Sequence, residues 1–204
     1  MGAMVELSAN EVRTLREKTG AGLMDCKKAL QETGGDMEKA IEHLRKKGIM
    51  AAEKKVGREA KQGAVTSYIH AGGKIGVLVE INCETDFVAR NETFQNFTKD
   101  VAMHIAAANP RYLKRDDVPA VELAKEREIY KEQARQSGKP ENVLEKIVDG
   151  KLVKFYGEVC LLEQSFIKNP DITIEAYLKE TIVKLGENIL ITRFTRYELG
   201  RGST

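Results

Sequence analysis

The residue types able to do chemistry are few and scattered along this chain of 204 residues. Histidine occurs at His43, His70 and His104, on separate segments and without the H-E-x-x-H spacing of a helical zinc site. The cysteines Cys26, Cys83 and Cys160 are far apart, odd in number and form no C-x-x-C pair, which argues against a zinc ribbon or a disulfide framework. No G-x-S-x-G elbow is present, and no cysteine has a readable histidine partner. Gly72-Gly73-Lys74 has the composition of a phosphate loop. The full G-x-x-x-x-G-K-[ST] pattern is missing, however, and alternating strands flank the segment, so a hairpin turn fits it better. Carboxylates are plentiful but fall on solvated helix faces. The expectation is a protein without catalytic residues, metal or cofactor.

One segment resists a purely structural reading. In Cys83-Glu84-Thr85-Asp86-Phe87-Val88-Ala89-Arg90 the alternation of the preceding strand stops, and the next helix begins only near Asn91. Phe87 and Val88 are therefore adjacent apolar residues in a connection, where chains normally place polar turn formers. Either Phe87 folds back as a lid on the core, or it is a presented anchor beside a carboxylate, the composition of an interface hot spot. A second oddity is Gly20-Ala21-Gly22-Leu23-Met24-Asp25. Leu23 and Met24 are consecutive, so on a helix they point about 100° apart. One can face a helical core while the other is left exposed; core filling and a second contact patch are both open.

The elements that must position these residues follow from periodicity. Ser8 and Glu11 form a capping box for a first helix with Val12 and Leu15 inward and Gly20 as its stop. A second helix carries Cys26, Ala29 and Leu30, and ends at Gly34-Gly35. Asp36 caps a third with Met37, Ile41 and Leu44, closed by Gly48. Residues 49–62 are highly charged and read as a solvated helical connector. Ala64 to His70 and Ile75 to Asn82 alternate as a strand hairpin. Asn91 caps a long helix with Phe94, Phe97, Val101, Ile105 and Ala108 inward, ended by Asn109-Pro110. Helices over 120–136 and 140–156, joined by Ser137-Gly138-Lys139-Pro140, make a helical hairpin. Its second arm has the stripe Leu144, Val148, Leu152, Phe155 and Val159. The first has only Val121, Ala124, Ile129 and Ala134 to pack. A helix marked by Ile174, Leu178, Ile182 and Leu185, stopped by Gly186, leads to a closing strand over 189–199. The fold class is α+β: a three-helix head, then a small antiparallel sheet covered by helices with a protruding helical hairpin.

Bulk composition agrees with a globular protein and restricts its partners. Hydrophobic residues make up 42% and charged residues 31%, without a disorder signature. Lys+Arg number 33 against 31 Asp+Glu, a net charge of only +2, so direct nucleic-acid binding is not expected. An RNA-binding module would need a basic face with stacking aromatics. A ubiquitin-like binding scaffold would explain the head but not the loop at Thr85-Asp86-Phe87-Val88. No run reaches the roughly 18 apolar residues of a membrane span, and a reduced, cytoplasmic setting is expected. Met1-Gly2-Ala3-Met4 reads as an expression scar before a start near Met4. The expected organisation is a head at 5–48, a linker at 49–62, a core at 63–199 and a tail at 200–204.

Two segments then resemble the signatures of the bacterial elongation factor Ts family. They are Thr19-Gly20-Ala21-Gly22-Leu23-Met24-Asp25-Cys26-Lys27-Lys28-Ala29-Leu30 and Asn82-Cys83-Glu84-Thr85-Asp86-Phe87-Val88-Ala89-Arg90. They occur in the family's order and spacing, and the likeness extends over residues 5 to 199. The resemblance implies a non-catalytic guanine-nucleotide exchange factor with a ubiquitin-associated-like (UBA-like) head that grips the GTPase domain of elongation factor Tu. It implies contact through Leu23 and Met24, an intrusive pair Asp86 and Phe87 with Thr85 and Val88 beside them, and a more distal contact at His70. The hairpin resembles the family's coiled-coil protrusion. Longer members have a core of two related halves. This chain is too short for both, which implies a homodimer, and an unpaired edge at the final strand gives that a physical motive.

Overall fold

The computed structural model describes residues 8–19, 21–137 and 140–201. These fall into two compact groups. One comprises the chain through Gly63, Asn82–Phe94 and Leu178–Leu190; the other comprises Ala64–Ile81, Gln95–Tyr177 and the chain from Ile191 onward.

The head begins as its capping pair dictates. Ser8 N–H donates to Glu11 Oε2 (2.9 Å) and Glu11 N–H to Ser8 Oγ (3.1 Å), opening helix α1 (Ala9–Thr19). Helix α2 (Leu23–Glu32) ends in a turn where Gly34 and Gly35 take positive φ, a conformation that only glycine adopts freely. Asp36 Oδ1 then accepts from Lys39 N–H (3.0 Å) and starts α3 (Met37–Glu53). Val12, Leu15, Cys26, Ala29, Leu30, Ala40 and Leu44 form one buried cluster, with Met37 and Ile41 packed against it. Each fully buried leucine contributes about 1.5–3 kcal/mol.

Gly48 does not close α3, which runs on to Glu53. A Cβ at Gly48 would sit 3.5 Å from Val183 Cγ2, so this glycine lies in a packed helical turn and not at a stop. The expected connector is accordingly part helix, part turns, and its last residue already belongs to a strand. The stop expected at Gly20 falls outside the described residues.

Strands β1 (Gln62–Ile69), β2 (Ile75–Cys83) and β5 (Ile189–Glu198) form a sheet in the order β1-β2-β5. Both pairings are antiparallel. His70 N–H donates to Ile75 O (2.9 Å) across the first hairpin, and Leu199 N–H to Lys74 O (2.8 Å) at the far end of β5. Val77, Val79 and Ile81 face the core, while Gly76, Leu78 and Glu80 face outward. In β5 the alternation shifts by one residue at Thr192–Arg193: Ile189 and Ile191 are buried, then Phe194, Arg196 and Glu198 take the inner side. Helix α5 (Glu92–Ala108) buries Phe97, Val101 and Ile105, and its Ala106 carbonyl accepts from Arg196 Nε (3.1 Å). Asn91 Oδ1 accepts from Thr93 N–H (2.8 Å), as expected of its cap, and Asn109 takes φ +48° beyond its end.

Helices α6 (Ala120–Gln136) and α7 (Glu141–Val159) lie antiparallel, cross-linked by Arg127–Glu145 (2.6 Å) and by Lys151 Nζ donating to Gln133 (2.6 Å). Gly138 and Lys139 of their connection lie outside the described residues. The stripe expected on α7 is buried throughout. The inner face expected on α6 is corrected: Val121 is 83% exposed, Ala124 and Ile129 are exposed as well, and only Ala134 is buried. Leu123 and Tyr130 pack instead, with Tyr112 and Tyr156, around Val118, Phe155, Val159 and Cys160. A two-stranded hairpin, β3 (Ser165–Phe166) with β4 (Asn169–Thr173), was not foreseen. Phe166 stacks on Tyr177 at 4.8 Å between ring centres. Helix α8 (Ile174–Leu185) then ends at Gly186, where φ is +77°.

Candidate functional site

Strand β2 leads directly into the segment that broke the sequence pattern. Thr85 stays extended, and its Oγ1 accepts from Val88 N–H (3.3 Å), which caps a one-turn helix α4 (Asp86–Ala89). The expected open connection is thus a capped helical turn. Arg90 N–H donates to Asp86 O (3.2 Å) and Asn91 N–H to Val88 O (2.9 Å), so the chain passes from this turn almost directly into α5. The Arg90 guanidinium pairs with Asp86 Oδ2 at 3.0 Å, one helical turn away.

Phe87 is 81% exposed, and this overturns the alternative in which it lids the core. Val88 is half-buried beneath it. Gln62, Glu84, Thr85, Asp86, Phe87 and Arg90 line an open depression of ≈ 580 Å³ beside the turn.

The support under the turn comes from a residue far along the chain. Glu84 N–H and Thr85 N–H both donate to Glu187 Oε2 (3.1 and 3.0 Å), and the Thr85 hydroxyl donates to Glu187 Oε1 (2.7 Å). In return Asn188 N–H donates to Glu84 Oε1 (2.6 Å), and Asn188 Nδ2 donates to Arg58 O (2.8 Å). Sequence reasoning missed Glu187 and Asn188. The available signal was a polar pair directly after the Gly186 stop, at the threshold of an apolar strand. Beneath Thr85, the Cys83 thiol donates to its carbonyl (3.1 Å). Burial pushes that thiol up to about 11, and the nearby Glu187 carboxylate adds to the shift, so Cys83 is a packing group rather than a nucleophile.

Leu23 and Met24 open α2 at 50% and 73% exposure. This corrects the expectation that one of them faces the head core: both side chains are left outside it. They share a compact group with the Asp86–Phe87 turn, whereas His70 belongs to the other group. His70 is exposed at the end of β1 and its Nδ1 lies 3.1 Å from the Tyr68 hydroxyl. His104 is fully buried, with Nε2 3.0 Å from Gln164 Oε1 and Nδ1 accepting from Ile167 N–H (3.4 Å). Burial lowers its pKa below the ordinary histidine value. Among the described residues no group of three or more His, Cys, Asp or Glu could hold a metal ion. No helix among them is long and apolar enough to cross a membrane.

An exposed aromatic on a capped, carboxylate-held turn and two more exposed apolar side chains at the start of α2, in the same compact group, have the composition of a docking surface. The family follows from comparison. The model of the family Elongation factor TS matches residues 7–201. Proteins named elongation factor Ts from Geotalea daltonii and Geobacter metallireducens are 62% and 63% identical over 198 residues, covering 97% of this chain and 92% of theirs. The one from a Thermoanaerobacter species is 61% identical over 196 residues, covering 96% of each chain. The chain belongs to the elongation factor Ts family.

Proposed function

We propose that this chain is a guanine-nucleotide exchange factor that promotes GDP release from elongation factor Tu during translation elongation. Family membership supports the exchange role. The observation that carries the mechanism is Phe87, 81% exposed on a turn capped and braced by hydrogen bonds. The turn enters the GTPase domain, Phe87 between helices and Asp86 toward the magnesium and phosphate site. Thr85 and Val88 frame it, Leu23 and Met24 grip the same domain through the UBA-like head, and His70 makes a more distal contact. The factor works in the cytoplasm, performs no bond chemistry, needs no cofactor of its own and touches no nucleic acid directly.

Such a factor accelerates release because it binds the nucleotide-free GTPase more tightly than the GDP-bound form, and by linkage GDP weakens its binding to the same degree. Burying the Phe87 ring is worth about 2 kcal/mol. Directed wholly to the open state, that is a factor of roughly 30. Asp86 adds to this by disturbing a hard cation that bridges phosphate and protein oxygens.

The chain is further proposed to act as a homodimer, with the head at 5–48 and the core at 63–199 as its two working parts. Val65, Ile69, Leu78, Tyr197 and Leu199 are all exposed on the outer side of a sheet in which β5 is the last strand among the described residues. Exposed apolar groups in such number favour a covering partner.

The test is release of fluorescent GDP from elongation factor Tu, chased with unlabelled GDP, with this chain and with Phe87→Ala. Strong acceleration that is much weakened in the variant is expected. Acceleration that survives the substitution removes Phe87 from the mechanism, and no acceleration by the folded, unaltered chain sinks the exchange role.

A further inference from the structure

Glu187 lies 102 positions beyond Thr85, yet its carboxylate takes three hydrogen bonds from Glu84 and Thr85, the two residues that lead into the Asp86–Phe87 turn. We infer that Glu187 is the positioning residue of the exchange loop: it fixes the direction in which Phe87 and Asp86 are presented, and anchors the loop to the start of β5. The inference rests on the exchange reading above.

The geometry accounts for each partner. Glu84 and Thr85 follow the last inward residue of β2 and have left the sheet ladder, so their amide protons need an acceptor. A single carboxylate oxygen supplies it at 3.1 and 3.0 Å. Bonds from neutral donors to a charged acceptor are among the stronger ones, and an unpaired amide would otherwise be left. The other oxygen takes the Thr85 hydroxyl proton at 2.7 Å. With its proton turned toward Glu187, the Thr85 oxygen keeps its lone pairs for Val88 N–H, the bond that caps the turn. The position of Glu187 therefore determines the cap, and the cap determines where the next two side chains point.

The reverse contacts make this a reciprocal clasp. Glu84 Oε1 accepts from Asn188 N–H (2.6 Å), and the Arg58 guanidinium lies 3.6 Å from the same oxygen. Gly186, at φ +77°, turns the chain sharply after α8 and places Glu187 where it can reach back. Lys55 Nζ donates to the Gly186 carbonyl, and so holds this turn from the other side.

The experiment measures exchange on elongation factor Tu over a range of factor concentrations, for the unaltered chain, Glu187→Ala, Glu187→Gln, Phe87→Ala and the double variant Glu187→Ala/Phe87→Ala. Amide hydrogen exchange at Glu84 and Thr85 is followed in parallel. Glu187→Ala is expected to lower the maximal exchange rate by about tenfold, since misplacing a positioned group by an ångström is enough for losses of this order. The half-saturating concentration should stay within about twofold, because Leu23 and Met24 still supply binding. Gln keeps one acceptor oxygen and should restore much of the rate. In the Phe87→Ala background the second substitution should add little, the non-additivity of residues that act as one unit. The amides of Glu84 and Thr85 should lose protection while those of α1 to α3 keep theirs. An unchanged maximal rate in Glu187→Ala, with Phe87→Ala impaired, overturns the inference and leaves the exchange role standing. A raised half-saturating concentration at full maximal rate also overturns it, since that is the signature of a smaller folded fraction. No acceleration by the unaltered chain overturns both.

Discussion

At the scale of single residues, the site separates groups that hold the fold from groups that the fold holds out. Phe87 is aromatic, large and almost wholly solvated, so its removal takes little from the folded state. Phe87→Ala should change unfolding free energy by no more than about 0.5 kcal/mol, the range of ordinary surface substitutions. A melt that falls by many degrees would mean that the ring packs in solution. Cys83 is the opposite case. Its thiol is buried, donates to Thr85 and is pushed up to about 11, and Cys26 and Cys160 are buried as well. At pH 8 only about one Cys83 in a thousand is ionised, and thiolate is the reactive form. A thiol-specific chromogenic reagent should therefore label none of the three rapidly in the folded protein and all three in denaturant. Rapid native labelling of any one would contradict its burial. Phe87 could be singled out in the sequence because two adjacent apolar residues break an alternating pattern. Glu187 left only a faint local trace, a polar pair after Gly186, because its bonds reach Glu84 and Thr85 more than a hundred residues away and no periodicity records them.

At the scale of elements, legibility follows length and periodicity. The long helices α5 and α8 and the strands β1, β2 and β5 were readable to within a residue or two, since each shows several turns or alternations of one buried face. The one-turn helix α4 and the hairpin β3–β4 are too short to show a period. The inner face of α6 was misread for a different reason. Leu123 and Tyr130 pack from α6, and Arg127 pairs with Glu145 of α7, so an apolar count points to the wrong face. Composition alone marks Gly48 as a helix stop, but α3 continues through it with space beside Val183. The prediction at this scale is direct. Gly48→Ala should stabilise the protein by up to about 1 kcal/mol, the difference in helix propensity, because the added methyl reaches ordinary contact distance. Gly150→Ala, within α7 and with nothing near its Cβ, should do the same. Thermal melts of both variants check this, and a drop in Gly48→Ala alone would mean that Val183 cannot give way.

At the scale of the whole molecule, two properties depend on more than one element. The first is acid stability. His104 on α5 meets Gln164 and Ile167, and burial holds its pKa below the unfolded value of 6.5. The unfolded chain therefore binds a proton that the folded chain refuses, in the window between the lowered folded pKa and 6.5. Stability should be full above 6.5 and decline as pH falls through that window, and His104→Gln should flatten this part of the profile in urea unfolding. A profile with the same slope in the variant would assign the acid loss to other groups. The second property is assembly. Arg193 reaches Glu80 at 2.7 Å on the outer side of the sheet, which sets Thr195, Tyr197 and Leu199 on that side by alternation, next to Leu78, with Val65 and Ile69 on β1. Leu78 lies on the central strand, so Leu78→Glu places a charge in the middle of any interface formed there, while the residue is exposed in a single chain and should tolerate the change. Sedimentation should show the unaltered chain as a dimer at micromolar concentration and Leu78→Glu as a monomer, a weakening of at least about a hundredfold for a buried unpaired charge. Exchange activity then discriminates how the copies cooperate. A folded Leu78→Glu monomer that loses exchange would mean that each protomer supplies part of the working surface. A monomer with full activity would place the whole exchange surface, from Leu23 and Met24 to Phe87, within one copy.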